Sequence, residues 1–219
     1  MKDDSILAKL TSARFAAVCG ILGPLVALTA ILVAIGMSAS WFTWFDNALS
    51  DLGHPYMLGG GGSGGTPGVN LAAPVFNGGL IACGIITLPL ALRLILQRDH
   101  KSTLGSIGGV LLLVSQFFLI SIGVFNEAFG RLHGLVSVGF FVTVLLFGVI
   151  YGITMALAPE TRWFGIFAFF LALAGAIFWG AYFFDLVPFT GVAIPEIVSV
   201  AAVIVWVIPL CLRLYMRGD

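Results

Sequence analysis

The sequence predicts an all-α membrane protein, a bundle of six transmembrane helices with a short extracytoplasmic amphipathic helix between the first two. Of the 219 residues, 60% are hydrophobic and only 9% are charged, whereas roughly a quarter of the residues in a soluble domain are charged. Six apolar runs each reach the length of about 20 residues that a helix needs to cross a bilayer. Basic residues fall on alternate connections between these runs.

The six runs cover about 15–37, 72–96, 103–125, 134–158, 163–184 and 194–214. Each run is apolar throughout, whereas the strands of a membrane barrel alternate apolar and polar side chains. Backbone polar groups in lipid have to be satisfied within the segment, so the runs are predicted to be helices. The first run is longer than the apolar region of a secretory signal, about 7–15 residues, and is expected to be retained. Residues 1–219 are thus expected to form a single integral membrane domain.

The basic residues predict the orientation. Nine of the ten fall on one side of the six runs: Lys2, Lys9, Arg14, Arg93, Arg98, Lys101, Arg162, Arg213 and Arg217. Only Arg131 falls on the other side. Because basic loops stay in the cytoplasm, this bias predicts a multi-pass protein of the cell membrane with both termini cytoplasmic. The formal net charge is zero, which gives no reason to propose a nucleic-acid partner.

Small residues recur at a spacing of four in two of the runs: Gly148, Gly152, Ala168, Ala172, Ala176 and Gly180. Such faces let helices approach closely in lipid. We expect a packing seam inside one bundle, and a homodimer through these faces is the alternative.

The segment 41–54 is predicted to be the amphipathic helix at the outer membrane surface. One face would carry Phe42, Phe45, Leu49 and Leu52, and the other Thr43, Asn47, Ser50, Asp51 and His54. Asp51 and His54, three residues apart, would be neighbours. Such a pair can orient an imidazole, bind a cation or shuttle a proton, although a simple solvated face is equally consistent with the pattern. The glycine-rich tract 59–65 is expected to be a flexible tether, natural or an engineered linker.

A second polar cluster connects the third and fourth runs and contains Asn126, Glu127, Arg131 and His133. Glu127 is predicted to lie at a helix C-terminus, where a negative charge needs a partner. Arg131 is the expected partner, either as a structural ion pair or as part of a site. His133 is expected to cap the fourth helix or to face the mouth of the bundle.

Two polar residues lie at the starts of other predicted helices. Asn77 lies just inside the second run, where a polar side chain at helix depth requires a partner. Glu196 follows Pro195 at the start of the sixth run, and we expect it to complement the helix dipole there.

Four segments carry a family resemblance: ALSDLG at 48–53, APVFNGG at 73–79, GVFNE at 123–127 and LH at 132–133. With these segments the chain resembles, over essentially its whole length, the small prokaryotic six-span membrane proteins catalogued as domain of unknown function 998. The resemblance implies the six-span fold but no activity. It also implies that Ser50, Asp51, Asn77, Glu127 and His133 belong to one shared site. A weaker similarity links the pattern to six-span proteins of the Frag/DRAM/Sfk type.

We expect an outer polar pocket that binds a lipid headgroup or a small polar ligand, with membrane lipids as partners. Its expected ligand-binding residues are Ser50, Asp51, His54, Asn77, Asn126, Glu127, Arg131 and His133. The alternative is a lipid-modifying or metal-assisted hydrolase or transferase that uses Asp51, His54, Glu127 and His133. No HExxH or similar motif supports a metal site, and the sequence does not name a cofactor. A small transporter or channel is the third hypothesis, disfavoured because no charged residue lies at the centre of a run.

Overall fold

The computed structural model describes residues 6–56, 68–96 and 102–218. The glycine-rich tract 59–65 and the basic residues Lys2, Arg98 and Lys101 lie outside these ranges. Seven α-helices form from the described residues: α1 (Ile6–Leu10), α2 (Ala13–Met37), α3 (Ala73–Leu96), α4 (Thr103–Val124), α5 (Arg131–Leu157), α6 (Arg162–Phe183) and α7 (Ala193–Arg217). The six helices α2 to α7 are long and apolar enough to span a membrane. The all-α fold and the six predicted spans are thereby confirmed.

The spans form a ring in chain order. Each packs against the next, and α7 packs back against α2. Because successive spans alternate in direction, the chain termini lie at one end of the bundle, which we call the terminal end. The opposite end, where α2 ends and α3 begins, is called the site end.

Close packing of α5 against α6 confirms the predicted small-residue seam. A Cβ added to Gly148 would lie 2.7 Å from the Cβ of Ala172, and one added to Gly152 would lie 2.7 Å from the backbone of Phe169. Ala168 and Ala172 are fully buried. Gly180 faces open space. The seam therefore serves packing within one bundle, and a homodimer stays a prediction.

The segment between α2 and α3 differs from the predicted helix over 41–54. It forms turns followed by a short 3₁₀ helix at Leu49–Gly53, which we call the roof helix. Leu49 and Leu52 are buried as expected, but Asp51, expected on the solvated face, is only 8% exposed. The segment folds onto the bundle because its polar groups find partners there, as described below.

Candidate functional site

The roof helix is fixed to both α7 and α3 by hydrogen bonds. The Leu49 backbone N–H donates to Glu196 Oε2 of α7 at 2.7 Å. Asn77 Nδ2 of α3 donates to the Gly53 carbonyl at 2.9 Å. Asn70 Nδ2, just before α3, donates to the Leu52 carbonyl at 3.1 Å. Each bond satisfies a backbone group that a short 3₁₀ helix leaves open at its ends.

The chain just before the roof helix is also joined to the start of α7. The Gly191 N–H donates to the Phe45 carbonyl at 2.7 Å, and the Ala193 N–H donates to the Asn47 carbonyl at 2.9 Å. A Cβ on Gly191 would clash with the backbone of Asp46 and Asn47. This close approach therefore requires glycine at position 191.

Asp51 organises the start of the roof helix. Its Oδ2 accepts from Asn47 Nδ2 at 2.6 Å and from the Ala48 N–H at 3.1 Å. The expected Asp51–His54 pair is not formed, because His54 follows the roof helix in extended backbone and its Nδ1 contacts the backbone of Tyr56 instead. That part of the prediction was wrong.

Three carboxyl groups lie near one another at the site end, and we call Asp51, Glu127 and Glu196 the acid cluster. The Asp51 carboxyl is within hydrogen-bonding reach of Glu127, and Glu196 is close enough to act on Glu127 electrostatically. Burial, reinforced by these neighbouring carboxyls, raises the pKa of Glu127 to about 8. Two adjacent carboxyl groups favour sharing one proton over carrying two charges.

The turn that contains Glu127 separates it from Arg131. Asn126 Oδ1 accepts from the Ala128 N–H at 3.1 Å and caps a 3₁₀ helix at Glu127–Phe129. Gly130 follows with φ of 53°, a conformation that favours glycine. Glu127 Oε2 is buried without a hydrogen-bond partner, while Arg131 is exposed. The described residues contain no Glu127–Arg131 ion pair, so the expected pairing was wrong: the turn directs the two side chains apart.

His133 is buried in the first turn of α5 at the edge of the acid cluster. Its Nδ1 lies 2.8 Å from the Phe125 carbonyl, which can only accept, so Nδ1 carries a proton. Its Nε2 lies 3.2 Å from the Ser137 hydroxyl. Asp51 is near enough to act on the imidazole electrostatically. Both ring nitrogens are thus engaged, one with the end of α4 and one with the next turn of α5.

A cavity of about 120 Å³ lies below the roof helix between α2, α3, α4, α5 and α7. Its lining is mainly apolar, with polar members Ser50, Thr87, Gln116, Ser137 and Glu196. Gln116 lies eight residues from the end of α4, about 12 Å into the bundle at the rise of an α-helix. Its Nε2 donates to Ser115 Oγ at 3.1 Å, and its Oε1 is buried with no hydrogen-bond partner. The cavity therefore extends from the roof helix to Gln116, whose Oε1 is a polar acceptor in an otherwise apolar interior.

The structure brings together part of the expected set and adds residues to it. The residues that meet at the roof helix, its cavity and the acid cluster are Ser50, Asp51, Asn77, Glu127 and His133. His54 and Arg131 lie apart, and Asn126 acts as a cap. Glu196, expected to be a dipole cap, is 7% exposed and bonded to the roof. Sequence reasoning missed this contact because its two partners are 147 residues apart.

Asn70 was missed as well, although a signal existed. It is 4% exposed and directly precedes the apolar run of α3. A polar amide in that position needs a buried partner, which the roof helix provides.

Among the residues that the structure describes, no three His, Cys, Asp or Glu side chains form a group that could hold a metal ion.

Six apolar helices with a buried polar end define a multi-pass integral membrane protein. The family model described as "Protein of unknown function (DUF998)" matches residues 21–213, so the chain belongs to this family. The resemblance seen in the sequence is thereby confirmed, whereas the weaker Frag/DRAM/Sfk similarity stays a prediction. No curated protein and no solved structure matches the chain.

Proposed function

We propose that the protein binds a small amphiphile at the site end, with the apolar part of the ligand in the cavity and its polar head at the acid cluster. One observation carries the proposal: a mainly apolar cavity opens at its roof end onto Ser50 and the carboxyl of Glu196. A ligand that is apolar at one end and polar at the other fits such a lining.

The acid cluster favours a protonated amine as the head. Asp51, Glu127 and Glu196 lie together, and no described basic side chain forms an ion pair with them. An ammonium group would donate charge-assisted hydrogen bonds to these carboxyl groups and would favour their ionised form. The unpartnered Oε2 of Glu127 is an acceptor for such a donor. Amine-bearing lipid headgroups and small alkylamines share this chemistry.

The cavity limits the size of the apolar part. Its volume of about 120 Å³ is close to that of an engineered protein cavity of about 150 Å³ that binds benzene. A short alkyl chain or a single ring fits this space. A longer acyl chain has to continue between the helices into the surrounding lipid.

Hexylamine and hexanol provide a matched pair of probes. Thermal unfolding of the detergent-purified protein at pH 7 should shift to higher temperature with both compounds, and further with the amine. Glu196→Gln retains an oxygen that can accept from Leu49, so it should fold. It should lose the extra effect of the amine and keep the hexanol effect.

The matched control is Glu160→Gln, because Glu160 is exposed at the terminal end. It should respond to both probes as the wild type does. Equal effects of amine and alcohol on the wild type, or an amine effect unchanged in Glu196→Gln, would contradict the proposal.

An acid–base enzyme is the second candidate, favoured by the carboxyl pair of Asp51 and Glu127. Paired carboxyls with unequal proton affinities serve as acid and base in several enzymes. Mass spectrometry of membrane lipids incubated with the wild type and with Asp51→Asn tests it. A new product that depends on Asp51 would support turnover, and identical lipid profiles would oppose it.

The charge distribution supports a cell-membrane location with both termini in the cytoplasm. Six described basic residues lie at the terminal end: Lys9, Arg14, Arg93, Arg162, Arg213 and Arg217. Among the described residues of the site end, Arg131 is the one lysine or arginine. By the positive-inside rule the site end then faces away from the cytoplasm.

A further inference from the structure

A second cavity, of about 320 Å³, lies at the terminal end between α3, α4, α5 and α7. Three arginines line it: Arg93, Arg213 and Arg217. The described residues of the lining include no acidic side chain. Three arginines thus share one cavity whose described lining is otherwise uncharged.

Arg93 is held in place. It is only 2% exposed, and its Nη1 donates to the Thr11 carbonyl at 2.7 Å. An arginine near a helix end in a membrane protein usually extends its charged group toward water. Here the chain between α1 and α2 fixes the guanidinium inside the bundle.

Arg213 contributes from α7. Its Nη1 donates to the Glu160 carbonyl at 3.1 Å, which positions the guanidinium at the cavity. A guanidinium has five N–H donors in a planar fork, so one carbonyl leaves most of them for a ligand. Arg217, one turn further along α7, is exposed at the cavity rim.

We propose that this cavity binds a phosphate group, supplied by an anionic membrane lipid or by a soluble phosphate. Arginine forks match the oxygens of phosphate in both charge and geometry. The first turn of α4 adds the partial positive charge of its N–H groups, since Ser102 and Gly105 also line the cavity. Basic pockets between membrane helices are a known way to hold lipid headgroups.

The rest of the lining is consistent with a lipid. Apolar side chains share the cavity with the arginines: Leu94, Met155, Leu157, Leu210 and Leu214. They offer a surface for the glycerol and upper acyl carbons of a phospholipid. The site lies at the opposite end from the acid cluster and does not depend on the function proposed there.

Native mass spectrometry with added phosphatidylglycerol or phosphatidylcholine tests the lipid source. The wild type should retain phosphatidylglycerol preferentially. Arg213→Gln with Arg217→Gln should reduce that preference by roughly tenfold or more, because the double variant loses hydrogen bonds between charged groups. Arg162→Gln, which removes an exposed terminal-end arginine outside the cavity lining, is the matched control and should retain it.

Inorganic phosphate tests the soluble source. A rise in unfolding temperature with phosphate but not with chloride at equal ionic strength, lost in the double variant, would assign a soluble phosphate. Arg217→Gln alone replaces the double variant if the latter fails to fold, and it should give a smaller loss in the same direction. The proposal is overturned if neither phosphate source shows a preference, or if the preference is unchanged in these variants.

Discussion

Glu127 links its protonation to the stability of the fold. Its pKa in the folded protein is raised from an ordinary value of 4.5 to about 8, first by burial and then by the carboxyls of Asp51 and Glu196. The folded state therefore holds this proton more tightly than the unfolded state does. The resulting contribution to stability is fully present below pH 4.5 and is lost as the pH rises toward 8.

We expect Glu127→Gln to weaken the pH dependence of stability. A neutral amide keeps the size of the protonated acid but cannot release a proton. The apparent unfolding temperature of the wild type should fall from pH 5 to pH 8, by an amount that reflects at most one proton for this group. The variant should show a flatter profile over the same range, measured by intrinsic fluorescence.

Glu160→Gln controls for the loss of a carboxyl elsewhere on the chain. Glu160 is exposed at the terminal end, so its variant should follow the wild-type profile. Parallel profiles for Glu127→Gln and the wild type would show that Glu127 does not hold its proton in the folded state.

At the residue scale, position in the bundle was easier to predict than role. Asn126 was expected to bind a ligand, whereas it caps the Glu127–Phe129 turn. Asp51 and Glu127 were assigned to the correct end of the bundle, but the sequence paired them with His54 and Arg131. Proximity along the chain suggested those partners, whereas the actual contacts are between segments distant in sequence.

The roof helix shows why an element can be predicted in position and missed in conformation. The wheel over 41–54 separated apolar from polar side chains, which favours an α-helix at a surface. Asp51, Asn70 and Asn77 instead hydrogen-bond the backbone of this segment, which stabilises turns and a 3₁₀ helix. These contacts depend on α3 being alongside, which the helical wheel does not represent.

Gly53→Ala tests how tightly the roof helix is seated on α3. A Cβ at this position would clash with Asn77 Oδ1 and would lie 2.9 Å from the Phe76 ring. We expect a loss of about 1–3 kcal/mol in the free energy of unfolding, the usual cost of overpacking. Chemical denaturation in mixed micelles measures it.

Gly78→Ala, on α3 next to Asn77, is the control for a glycine-to-alanine change. A Cβ there would meet nothing within 4 Å. Alanine favours helix over glycine by about 1 kcal/mol, so this variant should be neutral or slightly more stable. Equal destabilisation by both substitutions would show that the roof helix is not closely packed against α3.

At the scale of the whole molecule, the number and approximate position of the helices could be predicted from hydropathy. Lipid forces each span to satisfy its own backbone, so six apolar runs are sufficient to predict six helices. The ring closure of α2 against α7 could not be predicted in this way, because it depends on side-chain fit between helices. The two cavities, which lie between helices, depend on that same fit.

Cysteine labelling tests the orientation of the bundle. The three cysteines are free and buried, so a new exposed thiol gives a clean signal. In intact cells a membrane-impermeant maleimide should label Ser40→Cys, at the site end, and leave Glu160→Cys, at the terminal end, unlabelled. Both positions are exposed in the structure. Both should label after the membrane is opened, and the reverse pattern in intact cells would invert the topology.

The hydrogen bond from Leu49 to Glu196 has a consequence for exchange with solvent. An amide in a short connection usually exchanges its hydrogen quickly, through local fluctuation. The Leu49 amide is instead bonded to a buried carboxyl oxygen of Glu196 in α7, while Asn77 joins the same roof helix to α3. This amide is released only when the roof helix separates from α7. Its exchange rate should therefore report how often the roof helix leaves the helix that closes the ring against α2.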